Sequence, residues 1–290
     1  MKKLLITGAS GFLGWNLCHE AKREWDVTGI VHAHPVKPEG VKTVRLDLTD
    51  EKALKRLFSD VRPDAVIHAA AAASPNYCQD HPAQSEAINI RASVNLAGLC
   101  SENGIPYVFT STDLVFNGLE APYSEGDTPN PLNIYGEQKV FAEEKVLTEY
   151  PETAVCRMPL MFGHSSPAYQ TFFQEMVHAL KQGNELRLFT DEYRTPASAR
   201  TAAKGLLLAV GQVKGVLHLG GIERISRYHF GLLMMDVMGM REARLVPYKQ
   251  KDMAMSAPRA PDLSLDSSKA FEMGYKPLAL REELRRLLGE

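Results

Sequence analysis

The first fourteen residues place three glycines at three-residue spacing directly after a short apolar run. Lys3–Thr7 has the composition of the first, fully covered strand of a parallel sheet. Gly8 permits a tight reversal, Gly11 lets the backbone approach a pyrophosphate, and Gly14 lets the next helix pack closely on the strand. A helix from Phe12 onward would offer free N–H groups and its positive dipole end to phosphates. The segment predicts a dinucleotide-binding turn, the alternative being an ordinary strand-to-helix turn.

Apolar strand patterns alternate with helical patterns up to about Met158, which predicts an α/β fold with a doubly wound parallel sheet (a Rossmann fold). The predicted strands are Lys3–Thr7, Asp26–Val31, Lys42–Asp47, Ala65–His68, Tyr107–Ser111 and Thr153–Arg157. The predicted helices between them are Phe12–Arg23, Glu51–Ser59, Ala83–Asn103 and Leu132–Glu149.

The pattern becomes irregular after Pro159. We expect helices at Tyr169–Gln182, Ala199–Val210, Ser226–Met238 and Leu278–Leu288, and strands at Glu185–Phe189 and Gly215–Leu219. Residues 1–160, joined again by 196–220, are thus predicted to form a dinucleotide-binding domain. Residues 161–195 and 221–290 are predicted to form a smaller C-terminal substrate lobe.

Composition favours a globular enzyme over a nucleic-acid or membrane protein. The chain has 290 residues, 44% of them hydrophobic, and a formal net charge of −2. This charge gives no electrostatic attraction to nucleic acid or an anionic membrane, and no run of about 18 apolar residues predicts a membrane span. Four scattered cysteines indicate reduced thiols and a cytoplasmic location. The histidines show no metal-ligand spacing, so we expect no metal site.

Tyr135 and Lys139 are four residues apart and share one helix face. An ammonium beside a phenol lowers the phenol pKa, and such a tyrosine can give a proton to a carbonyl oxygen as hydride arrives at carbon. Thr112 follows the fifth strand, where its hydroxyl could hold the substrate oxygen. The alternatives are a surface Tyr–Lys pair and a hydroxyl serving the turn. Asp47 ends the third strand and could accept from an adenine amino group.

These motifs resemble the extended short-chain dehydrogenase/reductase superfamily over nearly the whole chain, and most of all its dTDP-4-dehydrorhamnose reductases. The segments Ser111–Gly118, Pro122–Glu125, Pro131–Gly136 and Arg259–Asp266 are similar to signatures of those reductases. The resemblance implies a nicotinamide-dependent reductase of a nucleotide-sugar keto group. It implies Thr112, Tyr135 and Lys139 as catalytic residues and Thr112, Asp113 and Leu160 as substrate contacts. The implied cofactor contacts are Gly8, Gly11, Phe12, Leu13, Gly14, His32, Asp47, Leu48, Ala69, Ala70, Ala71, Tyr135 and Lys139.

Two departures from the reductase pattern leave the substrate open. Leu160 stands where the reductases usually carry a tryptophan, and Asp191–Pro196 differs from their usual D-Q-x-G-x-P-T. Other extended short-chain enzymes, such as nucleotide-sugar epimerases, are the first alternative, although Leu114 replaces the glutamate of the dehydratases. A non-catalytic NADP-binding subunit, like the β subunit of methionine adenosyltransferase, is the second alternative.

The end of the second strand bears on the choice of cofactor. It reads Ile-Val-His-Ala-His and lacks the carboxylate that normally accepts the ribose hydroxyls and repels a 2′-phosphate, while Lys37 lies nearby. NADP(H) is therefore favoured, with NAD(H) as the alternative. A nucleotide sugar is the expected partner, and a homodimer is compatible with this interpretation.

Overall fold

The computed structural model describes residues 1–240 and 244–289. Its centre is a seven-stranded sheet in the order β11-β6-β5-β4-β1-β2-β3, with every pair parallel. The sheet strands are β1 Lys3–Thr7, β2 Asp26–Val31, β3 Lys42–Arg45, β4 Ala65–His68, β5 Tyr107–Thr112, β6 Ala154–Met158 and β11 Gly215–His218. The predicted doubly wound sheet is confirmed, including the return of the late strand to its edge.

The strand order reverses between β1 and β4, which are neighbours near the middle of the sheet. In open sheets of this kind, ligands bind beyond the carboxyl ends of the strands at this reversal. Helices cover both faces. The helices are α1 Phe12–Ala21, α2 Glu51–Val61, α3 Pro75–Asp80, α4 Pro82–Glu86, α5 Ala92–Asn103, α6 Ile134–Glu149, α7 Phe172–Lys181, α8 Ala199–Ala209, α9 Arg227–Met238, α10 Ser268–Glu272 and α11 Leu280–Leu288.

Two separate apolar cores lie on the two faces of the sheet. On one face, Leu17 of α1 and Leu206 of α8 pack on strand residues such as Ile6. On the other face, Leu54 of α2 and Leu96 of α5 pack on the alternate strand residues. Because the strands are covered on both sides, they read as continuous apolar runs in the sequence.

The single helix expected at residues 83–103 is divided in the structure. It consists of α4, a π-helical turn at Ala87–Arg91, and α5. The short α3, which begins with Pro75 after the capping residue Ser74, was also not predicted. Proline at the first helical position starts both α3 and α4, because its missing N–H is not needed there.

The segments after β6 that lie outside the central sheet share a third apolar cluster. It contains Phe162, Phe173, Phe230 and Leu284. The short strands are β7 Met161–Phe162, β8 Leu186–Phe189, β9 Tyr193–Arg194, β10 Ala197–Ser198, β12 Ile225–Ser226 and β13 Leu245–Tyr248. They pair two by two, β7 with β10, β8 with β13 and β9 with β12.

None of the helices in residues 1–240 and 244–289 combines the length and the apolar composition needed to cross a membrane.

Candidate active site

The glycine turn between β1 and α1 has the shape that phosphate binding requires. Gly8 has a φ of +69°, and a Cβ there would lie 2.8 Å from the Ala70 backbone. A Cβ on Gly14 would lie 2.1 Å from the carbonyl oxygen of Gly8, so only glycine lets α1 approach β1 this closely. Gly11 is the N-cap of α1, and neither a capping side chain nor an acidic residue of the first turn occupies that helix end. The first N–H groups of α1 are therefore available to an anion, and this cradle fits a dinucleotide pyrophosphate.

A series of buried hydrogen bonds holds Ala69–Ala71, the segment that lies against the glycine turn. The Ala70 N–H donates to the Thr7 hydroxyl (3.1 Å), which lies 2.6 Å from Nδ1 of His68. Nε2 of His68 lies 3.0 Å from the hydroxyl of Ser93, and that hydroxyl donates to the carbonyl oxygen of Asn89 (2.8 Å). Ser93 has one hydroxyl hydrogen, so it accepts from Nε2–H, and Thr7 donates to Nδ1. His68 is thus a neutral structural residue, and burial lowers its pKa to about 3, with Lys139 acting in the same direction.

Thr112 and Tyr135 meet beyond the carboxyl end of β5. Tyr135 lies in the first turn of α6, which Asn133 caps by accepting from the Gly136 N–H (3.0 Å). Both side chains are buried, at 7% and 6% exposure. Burial raises the pKa of Tyr135 well above its ordinary value, and the hydrogen bond with Thr112 opposes that shift. The expected effect of Lys139 on Tyr135 is therefore wrong for this arrangement, because burial dominates.

Lys139 lies one helical turn after Tyr135 and is 1% exposed. Its Nζ donates to the carbonyl oxygen of Thr110 (2.7 Å) and stands 4.3 Å from the ring centre of Phe109. Burial lowers the pKa of Lys139 to about 7, while the Glu143 carboxylate acts in the opposite direction. The ammonium therefore faces β5 rather than solvent, and its charge near neutral pH depends on nearby negative groups.

An ion pair that the sequence did not indicate lies one further turn along α6. Glu143 binds Arg157 of β6 through two contacts, Nη2 to Oε2 at 2.8 Å and Nε to Oε1 at 3.1 Å. Ser111 also donates to Glu143. Arg157 is thus a structural residue in this buried pair, and Ser111 is committed to the same pair, which leaves Thr112 as the hydroxyl that faces Tyr135.

The π-helical turn contributes Asn89, another residue without a sequence signal. Asn89 accepts from the Ala72 N–H (2.9 Å) and donates to the side chain of Gln138 (2.9 Å), the neighbour of Lys139. Gln138 in turn donates to the hydroxyl of Ser85 (2.9 Å). The alanine turn and the helix of the Tyr–Lys pair are thereby held in one hydrogen-bonded frame. A π-turn inside a longer helix often marks such a site.

The predicted adenine-side residues lie after β3, which ends two residues earlier than expected. Asp47 accepts from the N–H and the hydroxyl of Thr49 (2.9 and 2.8 Å), and these bonds lower the pKa of its carboxyl. The N-cap of α2 is Asp50, so Asp47 has its second oxygen available, 3.8 Å from Nε2 of the exposed His32. The side chain of Leu48 is buried in the core, so its contribution to a ligand would come from its backbone.

The C-terminal part of the chain contains a cleft of its own, whose walls include none of Thr112, Tyr135 and Lys139. The cleft has a volume of about 500 Å³, with Phe172, Glu192, Arg227 and Arg259 among its walls. Glu192 binds Nε of Arg227 (3.0 Å), whose guanidinium stacks on Phe172 at 4.5 Å. Leu160, the residue at the tryptophan position, is half-buried between β6 and β7, and its carbonyl accepts from the Ala197 N–H (3.1 Å).

Comparison with known proteins places the chain in a family. The family model described as RmlD substrate binding domain matches residues 1–290. The chain belongs to the RmlD family. The RmlD-family assignment confirms the resemblance to extended short-chain dehydrogenases/reductases that the motifs indicated.

Individual relatives of this RmlD-family chain carry different names. It is 31% identical over 284 residues to methionine adenosyltransferase 2 subunit beta of Xenopus laevis, covering 94% of this chain and 83% of that protein. A crystal structure of a hypothetical dTDP-4-dehydrorhamnose reductase from Sulfolobus tokodaii is 29% identical, with a TM-score of 0.85 and coverage of 97% and 98%. A dTDP-4-dehydrorhamnose reductase from Clostridium acetobutylicum ATCC 824 is 25% identical, with a TM-score of 0.85 and coverage of 99% and 98%.

Proposed function

We propose that this protein is an NAD(P)H-dependent reductase of a keto group on a nucleotide sugar. The observation that supports it most is the meeting of Thr112, Tyr135 and Lys139 at the carboxyl end of β5, on the side of the sheet that holds the glycine cradle. A surface Tyr–Lys pair would be solvated, whereas here all three side chains are at least 93% buried. Burial of this kind has a cost, and such groups concentrate at functional sites.

The chemistry follows from these three side chains. A nicotinamide cofactor held by the glycine turn would supply hydride to the carbonyl carbon. Tyr135, held neutral by its raised pKa, gives its proton to the carbonyl oxygen as negative charge develops there. Lys139, one turn along α6, holds this helix to β5 by donating to the Thr110 carbonyl oxygen (2.7 Å), which keeps Tyr135 at the end of the strand. The Thr112 hydroxyl lies beside that of Tyr135 and accepts from it until the substrate carbonyl oxygen takes the Tyr135 proton instead.

We infer that NADP(H) is accepted at least as well as NAD(H). The pyrophosphate would lie on the N–H groups of Phe12 and Leu13, because that of Gly11 donates to the Gly8 carbonyl oxygen (2.9 Å). The walls of the turn would be Gly8, Gly14 and Ala69–Ala71. At the end of β2 the residue facing the ribose side is the exposed His32, which is paired at 3.8 Å with Asp47. A histidine there does not repel a 2′-phosphate as a carboxylate would. We also infer a cytoplasmic location, which suits the four buried free cysteines; the homodimer stays a prediction.

The test is NADPH oxidation with 4-keto sugar nucleotides, dTDP-4-dehydrorhamnose first, by the wild-type protein and by Tyr135→Phe. A positioned acid contributes about 10²–10⁴-fold to the rate, so we expect Tyr135→Phe to lose at least ~100-fold in kcat. Its Kd for NADPH should stay within a factor of about three, since the fold and the glycine turn are untouched. Tyr123→Phe is the matched control, because Tyr123 is equally buried but bonds Asn117 away from the site. Equal kcat in the wild type and Tyr135→Phe would overturn the assignment.

A second candidate is a subunit that binds the dinucleotide without turnover and regulates a partner enzyme. The 31% identity to a methionine adenosyltransferase subunit favours it. A binding subunit has no need of an acid at Tyr135, so Tyr135→Phe would leave its effect on the partner unchanged. Stable association with a methionine adenosyltransferase catalytic subunit, together with no NADPH oxidation on a panel of keto sugar nucleotides, would favour this candidate.

A further inference from the structure

The carboxyl group of Asp113 lies beside Thr112 and has two different surroundings. Asp113 is 5% exposed and begins the turn that follows β5. Its Oδ1 accepts from the Thr112 hydroxyl at 3.2 Å. Its Oδ2 is buried without a hydrogen-bond partner among the residues described. Arg194 of β9 brings Nε to 3.4 Å from this oxygen, an ion pair in which no hydrogen bond is formed.

Arg194 is itself held firmly in this place. It is 5% exposed, and Nη1 donates to the carbonyl oxygens of Tyr193 (2.6 Å) and Ala260 (3.4 Å). Its Nη2 lies 3.5 Å from a carboxylate oxygen of Glu192. The guanidinium is therefore a fixed charge that the C-terminal part of the chain presents to the end of β5. It also stands where the reductase pattern D-Q-x-G-x-P-T has glycine.

The orientation of the Thr112 hydroxyl depends on the charge of Asp113. The Leu114 N–H donates to Thr112 Oγ1 (3.2 Å), so this oxygen already acts as an acceptor. A hydroxyl has one hydrogen and two lone pairs. When Asp113 is ionised, the hydrogen goes to its Oδ1, and the remaining lone pair is presented to Tyr135. When Asp113 is protonated, this requirement is lost.

We propose that Arg194 is a positioning residue, which keeps Asp113 ionised and thereby fixes the Thr112 hydroxyl against Tyr135. This inference rests on the proposed function. Burial raises the pKa of Asp113 to about 6, and Arg194 is the first of the groups that oppose the rise. The other groups facing the carboxyl are Thr112 and Arg227, which act with Arg194, and Glu192, which acts against it. The negative charge of Asp113 also raises the pKa of Tyr135.

The first measurement needs no turnover. The carboxyl carbon shift of Asp113, assigned with Asp113→Asn, is followed by NMR against pH in the wild type and in Arg194→Met. We expect the midpoint to rise by about one pH unit or more in Arg194→Met and to move less in Arg194→Lys. Arg224→Met is the control, because Arg224, which precedes β12, pairs with Asp262 (2.7 Å) and is not among the groups that act on Asp113. Should Arg194→Met fail to fold, Arg194→Gln serves the same measurement.

The second measurement separates positioning from a purely structural tie. The acid limb of the kcat profile should move upward with the Asp113 midpoint in Arg194→Met, while the Kd for NADPH stays within about threefold. In an Asp113→Asn background, Arg194→Met should change kcat by less than about twofold. The proposal would be overturned if the Asp113 midpoint moved by less than ~0.3 pH unit or if the acid limb of the kcat profile stayed in place. It would also be overturned if Arg194→Met lowered kcat in the Asp113→Asn background by the same factor as in the wild type. Absence of turnover in the wild type would instead count against the proposed function, and the NMR result still decides the role of Arg194.

Discussion

Glu143→Ala tests how the buried charges of α6 hold the site together. Glu143 and Arg157 are 4% and 3% exposed and share two contacts, so the substitution leaves a buried guanidinium without its partner. Breaking a buried pair from one side costs about 3–5 kcal/mol. At roughly 2.1 cal/mol/K per residue, unfolding the 290 residues carries an entropy near ~0.6 kcal/mol/K, which converts that loss to a Tm decrease of about 5–8 °C.

The assay is urea unfolding and calorimetry of Glu143→Ala beside Glu144→Ala, the neighbouring exposed glutamate. Glu144→Ala should change the free energy of unfolding by less than ~0.5 kcal/mol, as surface substitutions do. Glu143→Gln keeps the shape and an acceptor for Ser111, so we expect an intermediate loss. If Glu143→Ala and Glu144→Ala agree within about 1 kcal/mol, the pair does not hold α6 to the sheet as we argue.

Three further predictions concern cofactor, substrate and pH. Fluorescence titration should show a Kd for NADPH no higher than that for NADH, and a tenfold preference for NADH would contradict our interpretation of His32. Leu160→Trp should raise kcat/KM on dTDP-4-dehydrorhamnose about tenfold, equivalent to ~1.4 kcal/mol of restored aromatic packing; a fully efficient wild type with no gain in the variant would refute it. The pKa of His68 falls from 6.5 to about 3 on folding, so its contribution to stability is complete above pH 6.5 and is lost as the pH falls towards 3. Urea unfolding at pH 7 and pH 4.5 should show a smaller acid loss in His68→Asn than in the wild type, and equal losses would exclude this origin.

The sequence could predict those features that depend only on residues close together in the chain. The β1 strand and the glycine turn depend on apolar runs and on a few φ angles, and both agree with the structure. The spacing of Tyr135 and Lys139 follows from helix geometry alone. The ion pair between Asp113 and Arg194 could not be predicted, because the two residues are 81 positions apart and meet only when the C-terminal part packs on the sheet. The predicted lowering of the Tyr135 pKa was wrong for the same reason, since sequence spacing identifies neighbouring side chains but not how deeply they are buried.

The geometry of the site follows from the way α6 satisfies its buried polar groups. Three side chains on one face of this helix, each one turn from the next, meet three consecutive residues of β5. Tyr135 meets the Thr112 hydroxyl, Lys139 takes the Thr110 carbonyl oxygen, and Glu143 takes the Ser111 hydroxyl. A slip of α6 by one residue would break all three contacts and leave a buried ammonium and a buried carboxylate without partners, which is far more costly than any single contact. The same contacts that fix the register of the helix therefore fix the distance between the candidate acid and the end of β5.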